Sequence, residues 1–388
     1  MEKNIKKYIP KQVKQIYRYL LDTWDSIYDR FRDIIYPNNS LKSAYKGKFL
    51  IGTSISPNCI SDRKARQIIT RHFNSVTSES GLKFRTLPTE NDNIFFETAD
   101  KLLKFSEKHK MFFVGHCLIG AARPPLWILE ENNGKKLTGE LVAKRMEQHI
   151  KTIVGRYKNR IKVWDVLNEA IADDGSLLNT PLYKISGANY IKNAFRFARE
   201  ADPNCKLYYN DYDLSKESKR NGVVQMIKQL HADGVHIDGI GIQGHCHLVF
   251  PDIKEMEKSI VAFAEQGCKV SITEMDISIL PVFNPYTDAK IALSEAYRKS
   301  LNPFTRGIPE KIAQLQSNRY IELFNLFLKH QDIIERVTLW GITDSYSRKN
   351  DAPIPGRTDY PLLFDRNYQA KPVVKELIAM AKVQRTYP

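Results

Sequence analysis

Two glutamates in this sequence stand at the end of, or late in, a run of β-forming residues. Glu169 ends "VWDVLNE" (163–169), and Glu274 lies within "VSITEMDI" (270–277). Asn168 stands directly before the first, and Asp276 lies two residues beyond the second. A buried strand that turns from apolar residues to an amide and a carboxylate is entering a polar site. Paired carboxyl groups flanking one bond are the requirement of glycoside hydrolysis: one must deliver a proton while the other stays ionised. A separation of about 5–5.5 Å between them gives a covalent intermediate and retained configuration. On this reading Glu169 is the acid and Asn168 donates to a sugar hydroxyl.

The elements that must position these residues repeat along the chain. Short β-rich runs occur at 49–55, 75–80, 112–119, 163–169, 207–214, 239–245, 270–277 and 337–344. Helical patterns such as "TGELVAKRMEQHIKTIVGRY" and "NGVVQMIKQLHADG" lie between them, and "KPVVKELIAMAKV" follows the last. Eight strands, each followed by a helix, predict an α/β fold, the parallel (β/α)8 TIM barrel. Such barrels build their active sites at the carboxyl ends of the strands. The polar residues expected there are Glu79 and Lys83, His116, Asn168 and Glu169, Asn210 and Asp211, Gln243 and His245, Glu274 and Asp276, then Trp340 and Asp344. The fourth and seventh strands face each other across an eight-membered ring, so Glu169 and Glu274 should oppose. The long, proline-containing stretch 278–308 reads as an insertion over the barrel mouth.

With these motifs in hand, the sequence resembles glycoside hydrolase family 10, the endo-β-1,4-xylanases. The resemblance rests on "WDVLNEA", "LYYNDYDL", "GIGIQGH", "ITEMDI" and "LWGITD", in barrel order, and runs from about Lys46 to Lys382. It implies a retaining, double-displacement hydrolase of β-1,4 bonds in xylan or a related substituted polysaccharide. By the same resemblance Glu169 is the acid/base, Glu274 the nucleophile, and Asn168 the partner of the sugar 2-hydroxyl. His245 and Asp276 hold and tune the nucleophile. Glu79, Lys83, His116, Gln243 and Trp340 contact the glycone-side sugars.

The chain departs from the family pattern around those glycone contacts. The third strand reads "GHCLIGAAR", so Gly120 stands for a tryptophan, Ala121 for a histidine and Arg123 for a glutamine. Ser80 replaces an asparagine after Glu79, and Arg348, in "SYSRKND", takes the place of a tryptophan that roofs the pocket. Two aromatic walls are lost and two guanidinium groups gained, while both glutamates stay. A planar guanidinium reads carboxylate and sulfate well. Arg123 and Arg348 are therefore counted as substrate contacts, and acidic or hexose-containing β-glycans as the variant substrates. The alternative is that these arginines pair with nearby acids such as Asp351 or Glu131. A carbohydrate-binding protein without activity is the competing class, and retention of both glutamates speaks against it.

Composition sets outer bounds. The chain has 388 residues, 42% of them hydrophobic, with net charge +15. Lysine and arginine are scattered, with no basic run or nucleic-acid signature, so nucleic acid is not expected as a partner. No apolar run reaches the roughly 20 residues of a membrane span. Residues 1–20 carry many charges and no apolar core, so no signal peptide is read there, and the compartment stays open. Five widely spaced cysteines without a C-x-x-C pair read as buried thiols, not as a disulfide framework or zinc site. No cofactor and no metal cluster are expected. Residues 12–36 repeat Val13, Tyr17, Leu20, Trp24, Ile27, Phe31 and Ile34 in steps of four and three, one apolar helical stripe. This gives a helical extension over 1–44 and a catalytic barrel over 45–388. The extension should pack on its own barrel in a monomer, and a dimer through 12–36 is the alternative.

Overall fold

A computed structural model of the chain describes residues 23, 39–84, 93–130, 137–282, 295–352 and 354–383. The stripe over 12–36 lies outside the described residues, apart from Thr23. All eight expected strands form: β1 (Leu50–Ile55), β2 (Ser75–Ser78), β3 (Phe112–Gly120), β4 (Val163–Asn168), β5 (Lys206–Asp211) and β6 (Gly239–Ile242), then β8 (Lys269–Ser278) and β9 (Ile334–Leu339). The short β7 (His245–His247) adds to the carboxyl end of β8. All pairings are parallel. β6 pairs with β8 and β1 with β9, which closes the ring. β1, β2 and β4 are buried along nearly their whole lengths, as expected of a parallel sheet covered by helices.

The covering helices are α1 (Arg63–His72), α2 (Asn93–Lys108), α3 (Gly139–Arg156), α4 (Asn189–Ala201), α5 (Glu217–Ala232), α6 (Ile253–Ala264), α7 (Glu310–Lys329) and α8 (Val373–Val383). Local chemistry fixes where several begin. Asp62 accepts from the Lys64 and Ala65 amides at the start of α1, Thr138 from Leu141 at α3, and Asp252 from Lys254 and Glu255 at α6. Each of these caps satisfies amides that lack an intrahelical partner. No described helix is long and apolar enough to cross a membrane. All five cysteines are buried, and none is in a disulfide.

Two features of the ring bear on the site. The register slips between His116 and Ile119 on β3, between Asp165 and Leu167 on β4, and between Ile272 and Met275 on β8. Such bulges re-aim side chains at a barrel rim. Gly241 on β6 leaves space beside Asn210: a Cβ there would sit 2.3 Å from the Asn210 Oδ1. No residue but glycine fits without displacing the amide. At the opposite end, a short helix over Leu41–Ala44 buries Leu41 and Ala44 in the common core.

Candidate active site

The carboxyl ends of the strands surround a cavity of about 590 Å³. Glu169 and Glu274 both line it, together with Lys83, His116, Asn168, Gln243 and His245. Arg123 and Arg348 line it as well. Three other predicted residues stand behind this wall. Glu79 is half-buried, Asp276 is buried beneath His245, and Trp340 is 2% exposed with its ring against His116. Trp340 therefore offers no open face, because His116 and Lys83 cover it. Asp211 and Asp344, expected at the mouth, turn away from it. Each is fully buried and ion-paired, Asp211 with Lys219 at 2.9 Å and Asp344 with Lys371 at 3.1 Å.

The two glutamates are joined by amides. Gln243 Nε2 donates to Glu169 Oε1 at 3.1 Å and approaches Asn168 Oδ1 at 3.5 Å. Asn210 Nδ2 donates both to Asn168 Oδ1 at 2.8 Å and to Glu274 Oε1 at 3.0 Å. Thr273 Oγ1 donates to Asn210 Oδ1 at 2.6 Å, which fixes which end of that amide faces the carboxylate. Glu169 itself has φ +58°, a left-handed conformation uncommon outside glycine. It marks the turn that takes the chain off β4 into the cavity.

Glu274 is 5% exposed, and burial alone would push its carboxyl up. The hydrogen bond from His245 and the positive charges of His116, His245 and Lys83 outweigh burial and hold it at about 2. His245 Nε2 stands 3.5 Å from Glu274 Oε2, and its Nδ1 stands 2.9 Å from Asp276 Oδ2. Burial disfavours the His245 cation, but the Asp276 charge, with hydrogen bonds to both acids, carries the imidazole to about 9. Lys349 Nζ lies 3.6 Å from the other Asp276 oxygen. Across neutral pH, Glu274 is thus an ionised carboxylate held by a cation. His116 is oriented separately, its Nδ1 2.9 Å from Asp165 Oδ2 on the neighbouring strand.

Sequence reasoning put Asn210 at the barrel mouth without a role there, and had not assigned Asp165, Lys349, Tyr212 or Asp213 to the site. Asp213 lies in the "NDYD" run and could have been found as a polar residue just past a strand. Asp165 sits mid-strand, and nothing in sequence distinguishes it from a structural acid. Among the described residues no group of three or more His, Cys, Asp or Glu side chains could hold a metal ion.

A closed parallel barrel with an ionised, cation-held carboxylate facing a second carboxyl through an amide chain is the apparatus of a glycoside hydrolase. Residues 40–380 match the family model described as Glycosyl hydrolase family 10. The chain is 42% identical over 343 residues to an endo-1,4-beta-xylanase A of Xylanibacter ruminicola, which spans 88% of this chain and 93% of that relative. It is 36% identical over 341 residues to a beta-1,4-xylanase of Dictyoglomus thermophilum, spanning 87% and 90%. Among solved structures, a GH10 endoxylanase retrieved from a sugarcane soil metagenome superposes with TM-score 0.81 at 38% identity, over 89% of this chain and all of that one. A xylanase of Paenibacillus barcinonensis in complex with a conduramine derivative gives 0.78 at 32% identity, over 88% and 98%. The chain belongs to glycosyl hydrolase family 10.

Proposed function

We propose that the protein is a retaining endo-β-1,4-xylanase acting on xylan or a related β-glycan, with Glu274 as nucleophile and Glu169 as acid/base. The observation that carries the roles is the asymmetry between the two carboxyl groups. Glu274 is buried, accepts from Asn210 and lies against the His245 cation. Glu169 receives only a neutral amide donor, Gln243, among the described residues. In the first step a Glu274 oxygen bonds to the anomeric carbon as the bond to the leaving oxygen breaks, and Glu169 protonates that oxygen. In the second, water attacks the same carbon, Glu169 takes the water's proton, and the bond to Glu274 breaks. Asn168 is placed to donate its amide hydrogens to the 2-hydroxyl of the sugar, because its oxygen is already occupied by Asn210. His116, Lys83 and Gln243 line the remaining sugar-facing wall.

The test is a pair of variants assayed on xylan and on an activated aryl β-xyloside. Glu274→Ala should abolish turnover of both. Glu169→Ala should lose far more on xylan than on the aryl substrate, whose leaving group needs little protonation. Azide should restore part of the Glu169→Ala rate and yield a β-configured glycosyl azide. An α-configured product would overturn the retaining assignment, and full activity without Glu274 would overturn the nucleophile.

A further inference from the structure

From the distribution of charge in the cavity, we infer that this enzyme reads an anionic substituent, a carboxylate or sulfate ester, on the glycan it cleaves, through Arg123 and Arg348. The inference rests on the reading of the site as a β-glycanase. Arg123 follows β3 and Arg348 follows β9, so in the ring they flank the sector of β2 and β1. Both are exposed and both line the same cavity as the two glutamates. Among the described residues neither guanidinium forms a hydrogen bond or ion pair, and Asp351 meets Arg348 only through its backbone amide.

The acids of the cavity are otherwise engaged. Glu274 is held by His245 and Asn210, Glu169 by Gln243, and Asp213 by Lys216 at 2.9 Å on the far side, after β5. Among the described residues, Glu79 is an acid close enough to Arg348 to feel its charge. Burial pushes its carboxyl up, while the charges of Lys83 and Arg348 pull it back. Arg123 and Arg348 thus bring two guanidinium groups to the cavity that the two glutamates line. A guanidinium presents a planar fork of donors, matched to two oxygens of one carboxylate or sulfate.

The wall beside Arg123 also leaves room. It runs Gly120, Ala121, Ala122, and Ala121 is fully buried. A Cβ on Gly120 would meet nothing nearer than the Cys117 sulfur at 4.0 Å. A side chain would fit there, and the chain supplies none. A sugar seated by Asn168 and His116 can therefore carry a bulky group toward the guanidinium groups without a clash at Gly120.

The experiment compares matched polymers. Glucuronoxylan is set against the same polymer after reduction of its carboxyl groups, and sulfated linear xylan against its unsulfated parent. The native enzyme should show kcat/KM at least about tenfold higher on an acidic member than on its neutral counterpart, the ratio that ~1.4 kcal/mol gives. The favoured pair tells whether uronic carboxylate or sulfate is read. For Arg123→Gln plus Arg348→Gln that ratio should fall toward one, and in the native enzyme it should shrink with added salt. Equal kcat/KM on both members of both pairs in the native enzyme overturns the inference, whatever becomes of the variants. A ratio unchanged in a double variant with native thermal stability overturns the residue assignment. Loss of all activity on linear xylan and aryl β-xyloside by the native enzyme would instead sink the β-glycanase reading beneath it.

Discussion

His245 is the residue on which the site's charge pattern turns. It stands between two carboxylates, Glu274 and Asp276, that could not both stay ionised side by side without a cation. Its imidazole lies at about 9, above the ordinary 6.5, so the folded state binds its proton more tightly than the unfolded chain does. The resulting stability is complete below pH 6.5 and is lost as pH rises through 9. Glu274 runs the other way. Held at about 2 from its usual 4.5, it contributes stability above pH 4.5 that is lost as pH falls toward 2. The two windows overlap from pH 4.5 to 6.5, where thermal unfolding temperature should be highest. Substituting His245→Gln, read by calorimetry across pH, should remove the alkaline decline and also shrink the acid one, because Glu274 then loses the hydrogen bond and the charge that hold its carboxyl down. A wild-type and variant with parallel alkaline limbs would show that another group sets it. Of this arrangement, the His245–Asp276 pair was legible from the motifs. Asn210 as the second support of Glu274 was not. Its role depends on Thr273 orienting the amide and on Gly241 leaving it room, both contacts between strands distant in sequence.

At the scale of elements, the exit from β4 is governed by β5. The amides of Ala170 and Ile171, directly after Glu169, both donate to the Tyr209 hydroxyl, at 3.1 and 3.2 Å. Tyr209 in turn donates to Asp211, and Asp211 is ion-paired with Lys219 from α5, both side chains fully buried. Burial raises the Asp211 carboxyl to about 6, against the opposing charge of Lys219 and the Tyr209 hydrogen bond. The network thus anchors the turn on which Glu169 takes its positive φ. Tyr209→Phe deprives two buried amides of their acceptor, which should cost about 1–3 kcal/mol of stability. Because the turn aims Glu169, kcat on xylan should fall about tenfold or more while KM moves little. A stability loss with kcat intact would show that the turn holds its shape without Tyr209. Lys219→Met should be harsher, about 3–5 kcal/mol by denaturant unfolding, because it strands Asp211 unpaired in the core. The strands themselves were readable, since short runs of β-forming residues alternate with helical patterns along the chain. The network was not. Tyr209 reads as filler in "LYYND", and the inward turn of Asp211 toward a helix cannot be told from an outward one by alternation alone.

Over the whole molecule, chemistry and closure occupy opposite ends of the barrel. The mouth is built after the strands, whereas the ring is sealed before β1, where Tyr45 enters. Its side chain is fully buried, its hydroxyl donates to the Leu377 carbonyl of α8 at 3.1 Å, and its ring lies 5.0 Å from Phe49 and 5.5 Å from Phe324 on α7. One residue from the start of the barrel thereby ties together the first strand and the last two helices. These are the segments that must meet for β1 to pair with β9. The sequence reading set the N-terminal extension apart at residue 44, and Leu41 and Ala44 share this packing. Apolar periodicity over 12–36 could not reveal that, because the segment 41–45 is too short to show a period. Truncation of a buried aromatic costs about 3–5 kcal/mol through lost contacts and the cavity left behind. Tyr45→Ala should therefore lower the unfolding temperature markedly, and Tyr45→Phe, which loses only a hydrogen bond of about 1 kcal/mol, slightly. Neither should alter kcat/KM on xylan at 25 °C, where the fold persists, because no part of the cavity touches Tyr45. Thermal unfolding paired with initial rates separates the two effects. A variant with near-native unfolding temperature but depressed kcat/KM would mean that closure at the base is transmitted through the strands to Glu169 and Glu274, and that the two ends of this barrel are not independent.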